Sequence, residues 1–170
     1  MKIKAKKQFQ LPTDGWHLAV IADAVDVGIK ETKFGLRPKL RTVSFLDEKD
    51  TTGRAIELWS YYTCSVFQTS KFAELVRITT GDNPKLDTNG DFDTDGLRGR
   101  QYWIKTERRI TAKGTFANIT ALKPSQSSDQ RLAIPLDYTS TKDQHQQVTN
   151  RSNGGFGSPE ADRGVEFPGD

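Results

Sequence analysis

Five segments in which apolar and polar residues alternate, with one stretch of helical period among them, constrain the fold of this chain more than any other feature. Alternation with a period of two predicts strands over residues 16–27, 39–46, 54–63, 101–110 and 115–122. Between the third and fourth strands, residues 72–79 have helical spacing, with Thr69 or Ser70 as N-cap and Gly81 as a stop signal.

The resulting order of three strands, one helix and two strands is that of the OB-fold, a five-stranded Greek-key barrel. We therefore expect a mainly β protein: a five-stranded OB-fold barrel with one helix between strands 3 and 4, over residues 1–124. Another small α+β sheet with one helix would have the same order of elements. Residues 125–170 have too little apolar surface to offset chain entropy and predict a flexible polar tail. Within that tail, residues 131–138 are more apolar and predict an added strand or a docking segment.

Charge divides the chain in the same way. Residues 1–124 hold 21 Lys and Arg against 15 Asp and Glu, a net charge of +6, whereas residues 125–170 hold 4 against 7, a net charge of −3. A basic body with an acidic tail suits a surface that binds a polyanion, joined to a segment that the same polyanion repels.

The sequence offers little for catalysis or for a membrane. No Gly-rich phosphate loop, nucleophile elbow or His-Glu-x-x-His motif is present, so we expect a non-enzymatic protein without a cofactor. Cys64 is the only cysteine, which excludes an intramolecular disulfide and argues against a Cys-based zinc site. No stretch is apolar enough to span a bilayer, and a cytoplasmic protein is expected.

The third strand suggests a binding surface. If its aliphatic face is buried in the core, Trp59 and Tyr61 point outward two residues apart, where flat rings can stack unpaired bases. Burial of both rings under the tail or the helix is the alternative. Trp103, Lys105 and Arg109 share one face of strand four, and Phe116 and Asn118 lie on strand five. Further cations flank the connection between strands one and two and the last hairpin, loops that contact nucleic acid in OB-folds: Lys33, Arg37, Lys39, Arg41 and Lys113.

Residues 91–96 match the opening of a calcium-binding loop, with Asp91, Asp93 and Asp95 at alternate positions. Position twelve of that motif falls on Tyr102 instead of Glu, so we expect a turn and no metal site. A metal-dependent nuclease built on these three carboxylates is the least favoured alternative.

The last residues combine acids with an aromatic ring. Glu166, Phe167 and Pro168 lie in an acidic stretch from residue 160 to 170, and a Phe in such a tip can insert into a basic-rimmed pocket of a partner protein. A tail that only increases solubility has the same composition.

Four segments carry a resemblance to a known family: Pro-Thr-Asp-Gly-Trp at 12–16, the strand at 40–45, Glu-Leu-Trp at 57–59, and Lys-Gly-Thr-Phe-Ala-Asn-Ile at 113–119. With these segments the chain resembles the single-stranded-DNA-binding-like proteins of phages and integrated mobile elements, over about residues 11–124. The tip is similar to the partner-binding tail of bacterial single-stranded-DNA-binding proteins, although those tails usually end on the Phe and here Phe167 precedes three further residues. The resemblance implies a replication or recombination accessory in the cytoplasm of a bacterial host.

The expected function is non-catalytic, sequence-tolerant binding of single-stranded DNA, with a tail that recruits replication or recombination proteins. An OB-fold module that binds a protein through Trp59 and Tyr61, without nucleic acid, is the main alternative. The sequence leaves open RNA in place of DNA and the oligomeric state, a homo-oligomer included.

Overall fold

Five antiparallel strands in one sheet dominate the structure, a computed structural model that describes residues 9–65 and 69–140. The strands are β1 (Gly15–Thr32), β2 (Gly35–Lys49), β3 (Ala55–Thr63), β4 (Gln101–Thr111) and β5 (Gly114–Pro124). Between β3 and β4 lie one α-helix, α1 (Lys71–Thr80), and a short 3-10 helix (Thr94–Leu97). The mainly β class and the order of three strands, a helix and two strands are confirmed.

The sheet has the order β3-β2-β1-β4-β5, so β1 pairs with both β2 and β4, and β3 and β5 are the edges. Within the described residues β3 and β5 form no backbone ladder, and the sheet is open at this point. Both edges nevertheless line one cleft of about 280 Å³, with residues 60–62 on the β3 side and residues 117–122 on the β5 side.

The main core lies between the inner face of the sheet and α1. Phe72, Leu75 and Val76 of α1 belong to the same buried cluster as Leu58 of β3 and Tyr102 of β4. The burial pattern of β3 alternates as predicted, because its aliphatic side chains enter this cluster and the residues between them do not.

Both ends of α1 follow the predicted capping signals. The Ser70 side chain accepts a hydrogen bond from the Ala73 N–H at 3.0 Å, which satisfies an N-terminal donor of the helix. Gly81 ends the helix with φ of 82°, and its N–H donates to the Arg77 carbonyl at 2.8 Å.

The first hairpin is longer than predicted, because β1 and β2 continue through residues 28–38 as an exposed ribbon. A register shift between Asp26 and Ile29, where Gly28 has φ of 83°, marks a bulge that separates the buried part of β1 from the ribbon. Among the residues that the structure describes, the ribbon packs against no buried cluster, so no buried face imposes an alternating pattern on its sequence.

Residues 32–35 and 111–114 close the two hairpins with one shared motif, Thr-x-x-Gly. In each turn the Thr hydroxyl accepts from the N–H two residues later and donates to the Gly carbonyl, at distances between 2.8 and 3.3 Å. The two glycines have φ of 92° and 134°, which other residues adopt only with strain.

Residues 125–138 cross the sheet without forming a strand, so the docking segment is the alternative that the structure supports for residues 131–138. Leu132, Ile134 and Tyr138 pack on the face opposite the core, which we call the outer face. The strand residues that they cover are Val20, Ala22, Val43 and Phe45. The compact unit that includes this segment ends at Tyr138.

None of the helices in residues 9–65 and 69–140 combines the length and the apolar character that spanning a membrane requires.

Candidate nucleic-acid interface

Trp59 and Tyr61 lie on the outer face of β3, as the alternation predicts, with 42% and 53% of their surfaces exposed. Tyr61 pairs with Arg41 of β2, and Trp59 pairs with Val43 of the same strand, so these four side chains project from the same face. We call Arg41, Trp59 and Tyr61 the β2–β3 platform. Two accessible rings beside a cation form a surface on which unpaired bases can stack.

Three contacts hold the indole of Trp59 in place. The guanidinium carbon of Arg41 lies 4.4 Å from the ring centroid, the ring of Phe9 lies 5.9 Å away, and the indole N–H donates to the Glu57 carboxylate at 2.7 Å. A ring fixed before a ligand arrives loses less conformational entropy on binding than a mobile one.

A row of cations leads from the platform along β2. Arg37, Lys39 and Arg41 occupy alternate positions, so they share the outer face and lie about 7 Å apart. Lys39 also donates to the Thr63 hydroxyl of β3 at 2.7 Å. Such a row can neutralise successive phosphates of a strand whose bases stack on the platform.

Trp103 shares the outer face but lies far from the β2–β3 platform. Two strands separate β4 from β3, and strand spacing with the rise per residue puts Trp103 about 20 Å from Trp59. Its ring is half-buried, and its indole N–H donates to the Asp129 carboxylate at 2.8 Å. The structure therefore does not bring Trp103 and Trp59 together into one stacking site.

Asp129 is an anion in the stretch that joins β5 to the docking segment. The Gln126 N–H donates to the same carboxylate oxygen at 2.7 Å, and this bond, then the bond from Trp103, lowers the pKa of Asp129 below its ordinary value. The contact fastens residues 125–130 to β4.

Trp16 and Lys123 join Trp103 on this part of the sheet, and neither was among the predicted site residues. The Lys123 ammonium lies 4.4 Å from the Trp16 ring centroid and 5.1 Å from that of Trp103. Trp16 has 40% of its surface exposed, and its neighbour across β4 is Lys105. The signal that could have identified Trp16 is its position two residues before the continuous apolar run of residues 18–22 in the same strand.

The remaining predicted residues lie at the two hairpins. Lys33 is in the turn of the first hairpin, next to Phe34, whose ring centroid its ammonium approaches to 5.0 Å. Arg109 pairs with Phe116 across the second hairpin, and Lys113 lies in its turn. Asn118 is exposed on β5. The structure thus distributes the predicted residues over the β2–β3 platform, two hairpins and β4.

The acidic loop before β4 is arranged as turns. The Asp93 side chain accepts from the Asp95 N–H at 2.9 Å and caps the 3-10 helix, while the Asp91 N–H donates to Asp87 at 2.9 Å. In the described part of the chain, no group of three or more His, Cys, Asp or Glu side chains is placed to hold a metal ion.

His17 and Cys64 have surroundings that suit a structural role. His17 is buried and its Nε2 lies 2.7 Å from the Thr13 carbonyl. Partial burial raises the pKa of the Cys64 thiol, which makes it a poorer nucleophile. The predicted partner-binding residues Glu166, Phe167 and Pro168 lie outside the described residues.

Comparison of the chain with protein-family models and with curated proteins found no match.

Proposed function

We propose that this chain binds single-stranded DNA without cutting it and with little regard to sequence. The observation that carries the proposal is the β2–β3 platform, in which two exposed rings and a cation share one face with the row of Arg37 and Lys39. Stacking on an aromatic ring contributes about 1–3 kcal/mol per base and tolerates any base, since every base has a flat face.

We further propose that the sheet is an OB-fold barrel. Its support is the strand order, the single helix between β3 and β4, and the cleft that both edge strands line. OB-folds are partly open barrels that bind oligonucleotides on the face of strands 2 and 3 and on the loops that join strands 1 to 2 and 4 to 5. The β2–β3 platform and the two Thr-x-x-Gly hairpins occupy those positions.

The biological role that we propose follows the resemblance to single-stranded-DNA-binding-like proteins of phages and mobile elements. The protein would coat strands exposed during replication or recombination in the host cytoplasm, and its acidic tip at Glu166, Phe167 and Pro168 would recruit partner proteins. No cofactor takes part, because stacking and phosphate neutralisation need none.

Fluorescence anisotropy of labelled oligo-dT, titrated with protein at several salt concentrations, tests this function. We expect tight binding, and the logarithm of the binding constant should fall linearly with the logarithm of the salt concentration. The slope should be about 0.7 for each phosphate neutralised on a single strand. Duplex DNA should bind weakly, because its bases are not available for stacking, and an RNA probe of the same length reports on the choice of sugar. Absence of binding at low salt would reject the proposal.

A charge variant separates phosphate contacts from general electrostatics. Replacing Arg37 and Lys39 together by Gln should reduce the salt slope by about 1.4, the value for two phosphates. The matched control replaces Lys85 and Arg98, exposed cations of the segment between α1 and β4, and should leave the slope unchanged. Equal slopes for both double variants would refute the assignment of the β2 row.

A protein-binding module is the second candidate, favoured by the apolar side chains of the first hairpin. Ile29, Phe34 and Leu36 are 67%, 73% and 69% exposed, and large exposed apolar side chains are typical of contact surfaces between proteins. This candidate predicts no anisotropy change with any oligonucleotide and a protein contact that depends little on salt.

A further inference from the structure

A second aromatic cluster lies on the outer face, separate from the β2–β3 platform. Trp16 of β1, Trp103 of β4 and Lys123 of β5 come from three adjacent strands, and the Lys123 ammonium lies against both rings at 4.4 and 5.1 Å. Because Lys123 pairs with Trp103, and Trp16 is offset by two residues, the lysine reaches across β4 to the exposed indole.

The charged residues that contact or pair with Trp16 are lysines, whereas the acids of the same strands lie further toward the second hairpin: Glu107 is two residues beyond Lys105, and the Asp14 carboxylate accepts from the Arg108 N–H. Lys105 pairs directly with Trp16, so its side chain rises beside the indole on the same face. Asp129, the nearest acid that contacts the cluster, already accepts hydrogen bonds from Trp103 and Gln126 at 2.8 and 2.7 Å. Trp16 therefore has two lysines beside it and no acid bonded to it among the described contacts.

We propose that Trp16, Lys105 and Lys123 form a second stacking site for the bases of a single strand, which we call the β1–β4 platform. In this site a base stacks on Trp16, and the two ammonium groups contact the adjoining phosphates. The inference rests on the proposed function, because it extends the same kind of contact to a second part of the outer face.

The position of the β1–β4 platform determines how long a strand must be to use it. Trp59 pairs with Val43 of β2, and Val43 pairs with Asp23 of β1. Trp16 lies seven residues from Asp23 along β1, so the strand spacing and the rise per residue put Trp16 about 25 Å from Trp59. The docking segment crosses the face between the two platforms, and its Arg131 is exposed there. A short oligonucleotide can occupy one platform only, whereas a longer one spans both.

Two features favour nucleic acid over a protein ligand at this site. The ring is flat, exposed and flanked by cations, which is the combination that single-strand-binding surfaces use. The site also lies on the face that carries the β2–β3 platform, so a strand bound there can reach it by passing the docking segment, where Arg131 is exposed. A protein contact would instead favour apolar neighbours around the indole, and the strand neighbour of Trp16 is a lysine.

The test uses the full chain and oligo-dT probes of increasing length, from about 4 to about 16 nucleotides, the range of site sizes of OB-folds. Trp16→Ala should weaken binding of the longest probe about tenfold and leave the shortest probe unaffected, whereas Trp59→Ala should weaken binding at every length. Trp16→Phe should retain most of the gain in affinity with length. Leu86→Ala is the control, because Leu86 is 45% exposed in the segment between α1 and β4.

The outcomes separate the two proposals. If Trp16→Ala binds every probe as the wild type does while Trp59→Ala loses affinity, the β1–β4 platform is refuted and the proposed function stands. If the wild type binds no probe, the proposed function itself fails. Circular dichroism melts show whether Trp16→Ala and Trp16→Phe are folded. If both variants are folded and each loses the same affinity at every probe length, the second site is also refuted.

Discussion

The two faces of the sheet carry large side chains from the same strands, yet their surroundings differ. On the inner face Leu58 and Tyr102 are packed against α1 and are almost inaccessible. On the outer face Trp59 and Tyr61 keep about half of their surfaces accessible, and the neighbours that contact Trp59 include a cation, Arg41. One face stabilises the fold, and the other leaves rings and charges available to a ligand.

The outer face itself has a covered centre and exposed margins. The docking segment covers its apolar centre, over Val43 and Phe45, and leaves the aromatic and cationic margins on either side exposed. The covered residues are the apolar ones, because their removal from water is favourable. Burying the Arg and Lys side chains of the margins would instead require partners for their charges. The margins are the places where the two platforms lie.

The largest effect that we expect is on stability, from the inner face. Leu75→Ala should reduce the free energy of unfolding by about 2–5 kcal/mol, because it leaves a cavity beside a fully buried helix residue. Urea denaturation measures this loss, with Leu86→Ala as the exposed control. The comparison of the faces fails if the folded fraction of Leu75→Ala has also lost its affinity for oligo-dT.

A pH titration sharpens the contrast for tyrosines. Burial raises the pKa of Tyr102 from 10.0 to about 12, although its hydrogen bond with Ser44 at 3.0 Å acts in the opposite direction. Above pH 10 the unfolded chain loses this proton and the folded chain keeps it, so stability is complete below pH 10 and falls as the pH rises toward 12, by about 2–3 kcal/mol.

The measurement for this prediction is urea denaturation at several pH values for the wild type and Tyr102→Phe. We expect the variant to lose less free energy of unfolding between pH 10 and 12 than the wild type, because it lacks the titrating group. Identical losses of the free energy of unfolding in both proteins would show that Tyr102 does not titrate as a buried group with a raised pKa.

The outer face should show the reverse pattern. Trp59→Ala and Tyr61→Ala should each weaken oligo-dT binding by about 1–3 kcal/mol, because each removes one stacking ring. Their urea midpoints should stay close to that of the wild type, since exposed side chains contribute little to stability. A large drop in stability without a change in affinity would reverse the roles assigned to the two faces.

The smallest expected effect concerns the covered centre of the outer face. The Tyr138 hydroxyl donates to the Asp23 carboxylate at 3.1 Å, so Tyr138→Phe should cost about 1 kcal/mol of local stability. Hydrogen exchange should become faster in residues 131–138 while α1 is unaffected. Leu136→Ala, a change at a fully exposed side chain, is the control.

Much of the fold could be predicted because the inner face imposes a pattern on the sequence. Alternation along β3, the Ser70 cap and the Gly81 stop all depend on local packing and local hydrogen bonds, and each was confirmed, whereas residues 17–25 of β1 are buried on both faces and do not alternate. The extension of the first hairpin was not predicted, since residues 28–38 belong to neither buried cluster of the described part of the chain. The shared Thr-x-x-Gly motif at 32–35 and 111–114 is a signal for both turns, and the predicted strands flank it closely only at 111–114.

The site was harder to predict than the fold. Outward positions of Trp59 and Tyr61 follow from alternation along one strand, whereas the separation of Trp103 from Trp59 depends on the order of strands in the sheet. The contact of Lys123 with Trp16 joins residues more than a hundred positions apart. No local pattern contains such information, because it arises from pairing between distant segments.

The most direct test of the central claim observes the tryptophan side chains during DNA binding. The chain has three tryptophans, so a nitrogen–proton correlation spectrum contains three indole signals, which single substitutions assign. A short oligo-dT should shift the Trp59 signal, and a longer one should also shift that of Trp16. If saturating oligo-dT leaves the Trp59 signal and the amides of β2 and β3 unchanged, the outer face is not the site where this protein holds single-stranded DNA.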